Sequence, residues 1–182
     1  MSFEFADART FASSIERYAL HSVYNPEPGN NSSAFRKSID QVANKVGIAS
    51  IETPSGDSSD IDRLIRSLKD VPNSGLIFLP DAITGVRRVQ ITALVAQCRL
   101  PAIYPLRLFC DAGGLMSYGV NIDKNIAGAA SYVDRILRGA NPAELPVQAP
   151  TEFELVVNQK AARQLGLQMP ATLLARADEV IE

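Results

Sequence analysis

Histidine and cysteine are scarce in this sequence: His21 is the only imidazole, and Cys98 and Cys110 are the only thiols. So scattered, they offer no metal-ligand spacing and no nucleophile–base pair of the Ser/His or Cys/His kind. His21 opens a predicted strand, the place of a packed or solvated histidine rather than of a catalytic base. The two cysteines are read as buried free thiols. No Gly-x-Gly-x-x-Gly or Walker-type loop is present, which removes the common phosphate cradle of nucleotide-dependent enzymes. Neither a metal nor a cofactor is expected. Asp81 and Asp111 could form a carboxylate pair, but nothing in the sequence sets their separation, and solvated carboxylates are the simpler reading. Catalysis is therefore not expected.

Clusters of positive charge are missing too. Arg87-Arg88 is the nearest approach, too little for binding to a phosphate backbone, so no nucleic-acid partner is expected. No window approaches the ~18 consecutive apolar residues of a membrane span. The N-terminus, Met-Ser-Phe-Glu-Phe-Ala-Asp-Ala-Arg, has neither the basic start nor the apolar core of a secretory signal. Taken as complete, the chain would be cytoplasmic.

What is present is the material of one ordinary domain. The chain has 182 residues, 46% hydrophobic and 21% charged, with a net charge of −2, enough for a sizeable core. Its centre is the stretch Gly75–Tyr118. Three short apolar runs lie there (Leu76–Leu79, Ala102–Tyr104, Leu115–Tyr118), each ending in small, polar or aromatic residues. Apolar residues on successive positions suit strands buried on both faces of a parallel sheet.

Around that centre, strand and helix alternate. The spacing of Phe5, Phe11, Ile15 and Ala19 predicts a helix, and Leu20–Tyr24 a strand. Asn25–Ser33, with two prolines and a glycine, is a loop whose Asn31, Ser32 or Ser33 can cap a helix carrying Phe35, Ile39, Val42 and Val46. Then follow a strand at Ile48–Glu52, a helix with Ile61, Leu64, Ile65 and Leu68, the strand Leu76–Leu79, and a helix over Thr84–Gln97. A short strand at Ala102–Tyr104, a helical turn at Leu106–Ala112 and a strand at Leu115–Tyr118 come next. A helix starts at Asp123, with Ile126, Ala130, Val133, Ile136 and Leu137 on its apolar face. An extended connector covers residues 141–150. The strand Phe153–Val157, a helix to Leu165 closed by Gly166, and a last helix from Pro170 finish the chain. Helical crossovers between parallel strands are right-handed. The expected fold is α/β: an open, mostly parallel sheet with helices on both faces.

In such sheets ligands bind in the crevice past the carboxyl ends of the strands. The residues there are Pro80, Asp81, Tyr104, Pro105, Ser117 and Tyr118. Asp81 can accept a hydrogen bond from a ligand or simply form the turn after Pro80. Tyr104 can line a cleft or belong to the core. Asp123 can pair with an amino group or cap the helix behind it. Asn31 and Ser32 precede a helix, where N–H groups and hydroxyls can hold an anion or serve only the helix.

Several blocks carry a resemblance: Tyr24–Asn31, Leu76–Asp81, Arg99–Pro105 (Arg-Leu-Pro-Ala-Ile-Tyr-Pro), Gly113–Gly119 (Gly-Gly-Leu-Met-Ser-Tyr-Gly) and Tyr132–Pro146. Phe-Glu-Leu-Val-Val-Asn and Leu-Leu-Ala-Arg-Ala-Asp-Glu-Val-Ile follow. In this order, over most of residues 20–182, they resemble ABC-transporter substrate-binding proteins of the uncharacterised and tryptophan-binding type. The resemblance implies one lobe of a type I periplasmic binding protein-like fold, with flavodoxin-like strand order. In that fold two α/β lobes close on a small solute. The chain starts where the second lobe of such proteins starts. It implies a non-catalytic solute-binding component of an ABC-type transport system, periplasmic, with a small polar solute such as an amino acid and with permease subunits as partners. Ligand contacts fall on Asn31, Ser32, Asp81, Tyr104, Ser117, Tyr118 and Asp123, with Asn31-Ser32 facing a ligand carboxylate.

The resemblance also divides the chain. Residues 1–119 form the lobe, 120–150 a hinge segment, helix and connector suited to a missing first lobe or a partner, and 151–182 return to the lobe. With no first lobe, the face of Ile126, Ala130, Val133 and Leu137 has no partner, and a homodimer or domain-swapped oligomer is expected. The alternative function is a stand-alone dimeric module for ligand sensing or interaction. A small flavodoxin-like enzyme is a weaker third reading.

Overall fold

The computed structural model describes residues 18–27 and 32–182. The helix predicted upstream of Tyr18 and the candidate Asn31 lie outside the described residues. Seven strands form one sheet: β1 Ala19–Tyr24, β2 Ala49–Pro54, β3 Ser74–Phe78, β4 Ala102–Tyr104, β5 Met116–Val120, β6 Phe153–Asn158 and β7 Glu179–Ile181. Their order is β2-β1-β3-β4-β5-β6-β7. Every pairing is parallel except β5 with β6. This is the expected open, mostly parallel α/β sheet.

The helices follow from the crossovers. The helix α1 (Ser32–Val46) joins β1 to β2, and α2 (Ser58–Ser67) joins β2 to β3. These two crossovers run in opposite directions across the sheet, so right-handed connections set α1 and α2 on opposite faces. The helices α3 (Ala82–Val86), α4 (Arg88–Gln97) and α5 (Arg107–Asp111) continue in the direction of α2 and share its face. Ile61, Ile65, Ile91, Val95 and Phe109 from these helices pack with Val23, Leu76, Phe78, Ala102 and Tyr104 of the strands. Burying each large apolar side chain contributes roughly 1.5–3 kcal/mol. The opposite face is covered less. Along β3 and β4, buried residues alternate with half-buried ones such as Ile77 and Ile103. The apolar runs predicted to be buried on both faces are therefore fully buried on one.

Three expectations need correction. The helix predicted over Thr84–Gln97 is two helices that break at Arg87, whose guanidinium reaches both carboxylate oxygens of Asp62 at 3.2 Å. A seventh strand, β7, pairs with β6 where only helix was expected after Pro170. Its Glu179 binds Arg107 of α5 through two hydrogen bonds. The remaining helix of the lobe, α7 (Gln159–Leu165), ends on Gly166 at φ 72°, a left-handed conformation that favours glycine. The short helix α8 is only Ala171–Leu174.

Between β5 and β6 the chain leaves the lobe. The helix α6 (Ile122–Leu137) has no buried residue and no extensive packing against another described element. Ile126 is 64% exposed, Val133 55% and Leu137 81%. Among the described residues, no other element packs extensively on the apolar face of this helix. Cys98 and Cys110 are buried free thiols, and His21 is packed, 6% exposed.

Candidate functional site

Five parallel strands end along one edge of the sheet. The chain steps outward from β1 to β2 and then crosses back to β3 on the other flank of β1. At such a reversal the loops after the two strands part toward opposite faces and leave a crevice. Its lips are Asn25 after β1 and Leu79–Asp81 after β3. Leu79 donates its N–H to the carbonyl of Val23 at 3.0 Å, which ties the lips together. Asn25 is 8% exposed, and its Oδ1 accepts the N–H of Glu27 at 3.0 Å. A buried amide thus stands at the reversal. Sequence reasoning missed it as one polar residue among many in a loop; the signal available was its position directly after a strand. Ser55, buried after β2, donates its N–H to the carbonyl of Tyr24 at 2.9 Å.

Asp81 is on the lip, where it was expected. Its Oδ1 accepts the N–H groups of Ile83 at 2.8 Å and Thr84 at 3.2 Å, so it caps α3. Asp57 does the same for α2, accepting from Ser59 and Asp60. The Ser59 hydroxyl and these N–H groups hold the Asp57 carboxyl below the usual carboxylate range. Ser32, partly exposed, opens α1 at this same edge.

Two candidates belong to the core instead. Tyr104 is 1% exposed, stacked between Phe78 (centroids 5.1 Å) and Phe109 (4.9 Å). Burial raises its phenol pKa. Its ring has no surface left for a solute, because an aromatic at the end of a three-residue central strand is drawn into the gap between strand and helix. Ser117 is 0% exposed and its hydroxyl has no oxygen or nitrogen partner among the described residues. In register it lies beside Tyr104 and Val156. Burial pushes the neighbouring Cys110 thiol up to about 11, partly countered by the Ser117 hydroxyl.

The last two candidates stand at the exit of the lobe, two strands beyond β3 and so roughly 10 Å from the crevice. Tyr118 is 45% exposed and stacks on Phe153 at 6.0 Å. Asp123 is exposed on the first turn of α6. It does not cap that helix; Asn121 does, accepting the N–H of Lys124 at 2.9 Å and donating to Glu154 at 2.8 Å. A hydrogen-bonded ion pair of Lys124 with Glu152 joins the outgoing and returning strands of chain. Gly119 is required here: a Cβ would stand 1.8 Å from the carbonyl oxygen of Pro105. Between α6 and the connector lies a groove of about 600 Å³, lined by Asn125, Gly128, Tyr132, Ile136, Leu145 and Pro146 among others. Tyr132 donates its hydroxyl to the Pro146 carbonyl at 2.6 Å. The structure therefore groups Ser32 with Asp81, and Tyr118 with Asp123, but does not gather all the candidates in one place. Among the described residues, no three His, Cys, Asp or Glu side chains converge as a metal site.

Known proteins share this fold. The family described as "ABC transporter substrate binding protein" matches residues 18–181. A conserved domain protein from Vibrio cholerae is 26% identical with a TM-score of 0.76, over 89% of this chain and 54% of its own. An ABC domain from Streptococcus pneumoniae, solved in complex with L-Trp, is 19% identical with a TM-score of 0.79, over 90% of this chain and 55% of its own. The open, ligand-free substrate-binding protein CD0873 from Clostridium difficile is 19% identical with a TM-score of 0.62, over 91% and 55%. The chain thus spans about half the length of these structures. No curated protein matches it.

Proposed function

The chain belongs to the ABC transporter substrate binding protein family, and from this premise we propose that it is one lobe of a solute receptor, supplying one wall of a cleft that closes on an amino-acid-like solute. The observation that carries this reading is the crevice at the β1/β3 reversal. Asn25, 8% exposed, the start of α1 at Ser32, and Asp81 stand there past the carboxyl ends of β1 and β3. An N-terminal helix end favours a carboxylate, and the amide of Asn25 and the carboxylate of Asp81 suit an amine or hydroxyl. The Streptococcus pneumoniae neighbour holds L-Trp, which makes amino acids the first solutes to test. Asn31 is proposed, from the resemblance alone, as a contact to the solute carboxylate; Tyr118 and Asp123 join this wall only when a second lobe brings the hinge side close.

The mechanism is closure. A solute that binds both walls better than either alone shifts the lobes toward the closed state. Permease subunits would then read that state at the membrane, with the protein working in the periplasm or outside the cell. No proton transfer or covalent step is involved. Residues 120–150 act as the hinge segment, and α6 as the element that reaches across.

Half of a cleft binds weakly. If a two-walled cleft held its solute at ~1 µM, one wall with half the free energy would hold it at ~1 mM. Calorimetry with a panel of amino acids tests this: weak or no heat is expected from the chain alone. Micromolar binding by a proven monomer would refute the half-cleft reading. A second reading, a dimeric module for ligand sensing or interaction without a transport role, is favoured by one observation, the uncovered apolar face of α6.

A further inference from the structure

A polar cluster lies behind the crevice rather than in it. Glu52 of β2 is shared by two neighbours. Arg36 of α1 donates to its Oε1, and the Tyr24 hydroxyl donates to its Oε2 at 3.2 Å. The Arg36 guanidinium also stands over the Tyr24 ring, 4.6 Å from its centroid, within the reach of a cation–π contact. Ser22 and Glu52 are partners in register, as are Tyr24 and Pro54, so Tyr24 and Glu52 point to the same side of the sheet. One carboxylate thus ties together the last residue of β1, the strand β2 and the beginning of α1.

The cluster is too open to add much stability. The side chains of Arg36 and Glu52 are 25% and 47% exposed, and exposed ion pairs contribute little. Arg36 Nε and the Ser22 hydroxyl are buried without partners among the described residues, and unpaired buried donors oppose stability. What the cluster fixes is direction. Tyr24 directly precedes Asn25, and Arg36 follows Ser32 by four residues, about 6 Å along the helix axis. We infer that Tyr24, Arg36 and Glu52 are positioning residues of the proposed cleft: they clamp the start of α1 at a set distance from Asn25, and so set the spacing between the carboxylate and amine contacts of the solute. They act through α1 and Asn25 rather than by touching the solute. The inference rests on the receptor reading above.

Three variants of the full chain separate positioning from simple charge attraction. Tyr24→Phe removes the hydroxyl and keeps the ring. Arg36→Lys keeps the charge and loses the planar fork. Glu52→Gln removes the charge of the shared carboxylate. Each is followed by thermal melting, by amide hydrogen exchange, and by titration with L-tryptophan monitored through amide chemical shifts. All three are expected to melt within a few degrees of the parent. Amides of residues 36–39 should exchange roughly tenfold faster, with residues 43–46 at the parent rate. The Kd for L-tryptophan should rise roughly 3–10-fold in all three, the effect of losing one modest interaction. If Arg36 merely attracted the solute carboxylate, Arg36→Lys would keep the parent affinity and Glu52→Gln would bind more tightly; that pattern overturns the inference. Parent exchange rates at residues 36–39 in all three variants overturn the clamp itself. Faster exchange with unchanged affinity overturns its role in binding. If the parent chain binds no amino acid, the receptor reading falls, while the exchange rates still decide whether the clamp exists.

Discussion

Removing the ring of Tyr104 separates a core residue from a cleft residue. The side chain is 1% exposed and stacked on both faces, at 5.1 Å from Phe78 and 4.9 Å from Phe109. Truncating a buried aromatic to alanine costs about 3–5 kcal/mol, from lost transfer energy and the cavity left behind; two stacked pairs, each worth ~0.5–1.5 kcal/mol, place Tyr104→Ala toward the upper part of that range. In a chain of this size about 4 kcal/mol lowers the melting temperature by roughly 8–16 °C, and it is a large share of the ~5–15 kcal/mol that holds a domain together. Tyr104→Phe keeps the ring and both stacks and is expected to stay within ~1 kcal/mol. Urea unfolding checks the pair: the midpoint of Tyr104→Ala should fall with the slope unchanged. If Tyr104→Ala lost less than ~1 kcal/mol while altering solute binding, the core assignment would be wrong.

The remaining predictions concern other sites. His21 is buried with neither ring nitrogen partnered among the described residues, and burial lowers its pKa from 6.5. The unfolded chain therefore binds more protons as pH drops below ~6.5, so stability is full above that pH and declines beneath it; thermal melts of His21→Leu should show a flatter profile from pH 7.5 to 5. Gly119→Ala forces a Cβ onto the Pro105 carbonyl and should prise β4 from β5. A cost above ~3 kcal/mol, or no soluble protein, is expected in denaturant titrations. Asp81→Ala should lose the cap of α3, about 1 kcal/mol, whereas Asp81→Ser should keep most of it. If Asp81 also meets the solute, Asp81→Ser will weaken binding while melting near the parent temperature.

Much of the fold was legible because its signals are local. Ile61, Leu64, Ile65 and Leu68 spell out a helix face, and Gly166 marks the helix end that it indeed occupies. Alternation of strand and helix led to the parallel sheet. The apolar stripe of α6 could be read as well, and its residues stand exposed. What escaped depends on three-dimensional neighbours. β7 has only three half-buried residues, and it becomes a strand because β6 offers an edge and Arg107 offers Glu179 a partner. Tyr104 and Ser117 look like crevice residues by position along the chain, but α5 folds over them. Asn25 looked like loop filler, yet the reversal of strand order buries it. Asp123 and Asn121 are both capable caps, and the hydrogen bond of Asn121 to Glu154 selects the latter.

The central claim is that the β1/β3 reversal forms one wall of a solute cleft. Backbone amide chemical shifts followed during titration with L-tryptophan and other amino acids measure this most directly. The account predicts saturable, roughly millimolar shifts at Asn25, Ser32 and residues 79–84, with the amides of β6 and β7 unmoved. Shifts confined to the α6 groove, or none for any amino acid at tens of millimolar, would contradict it.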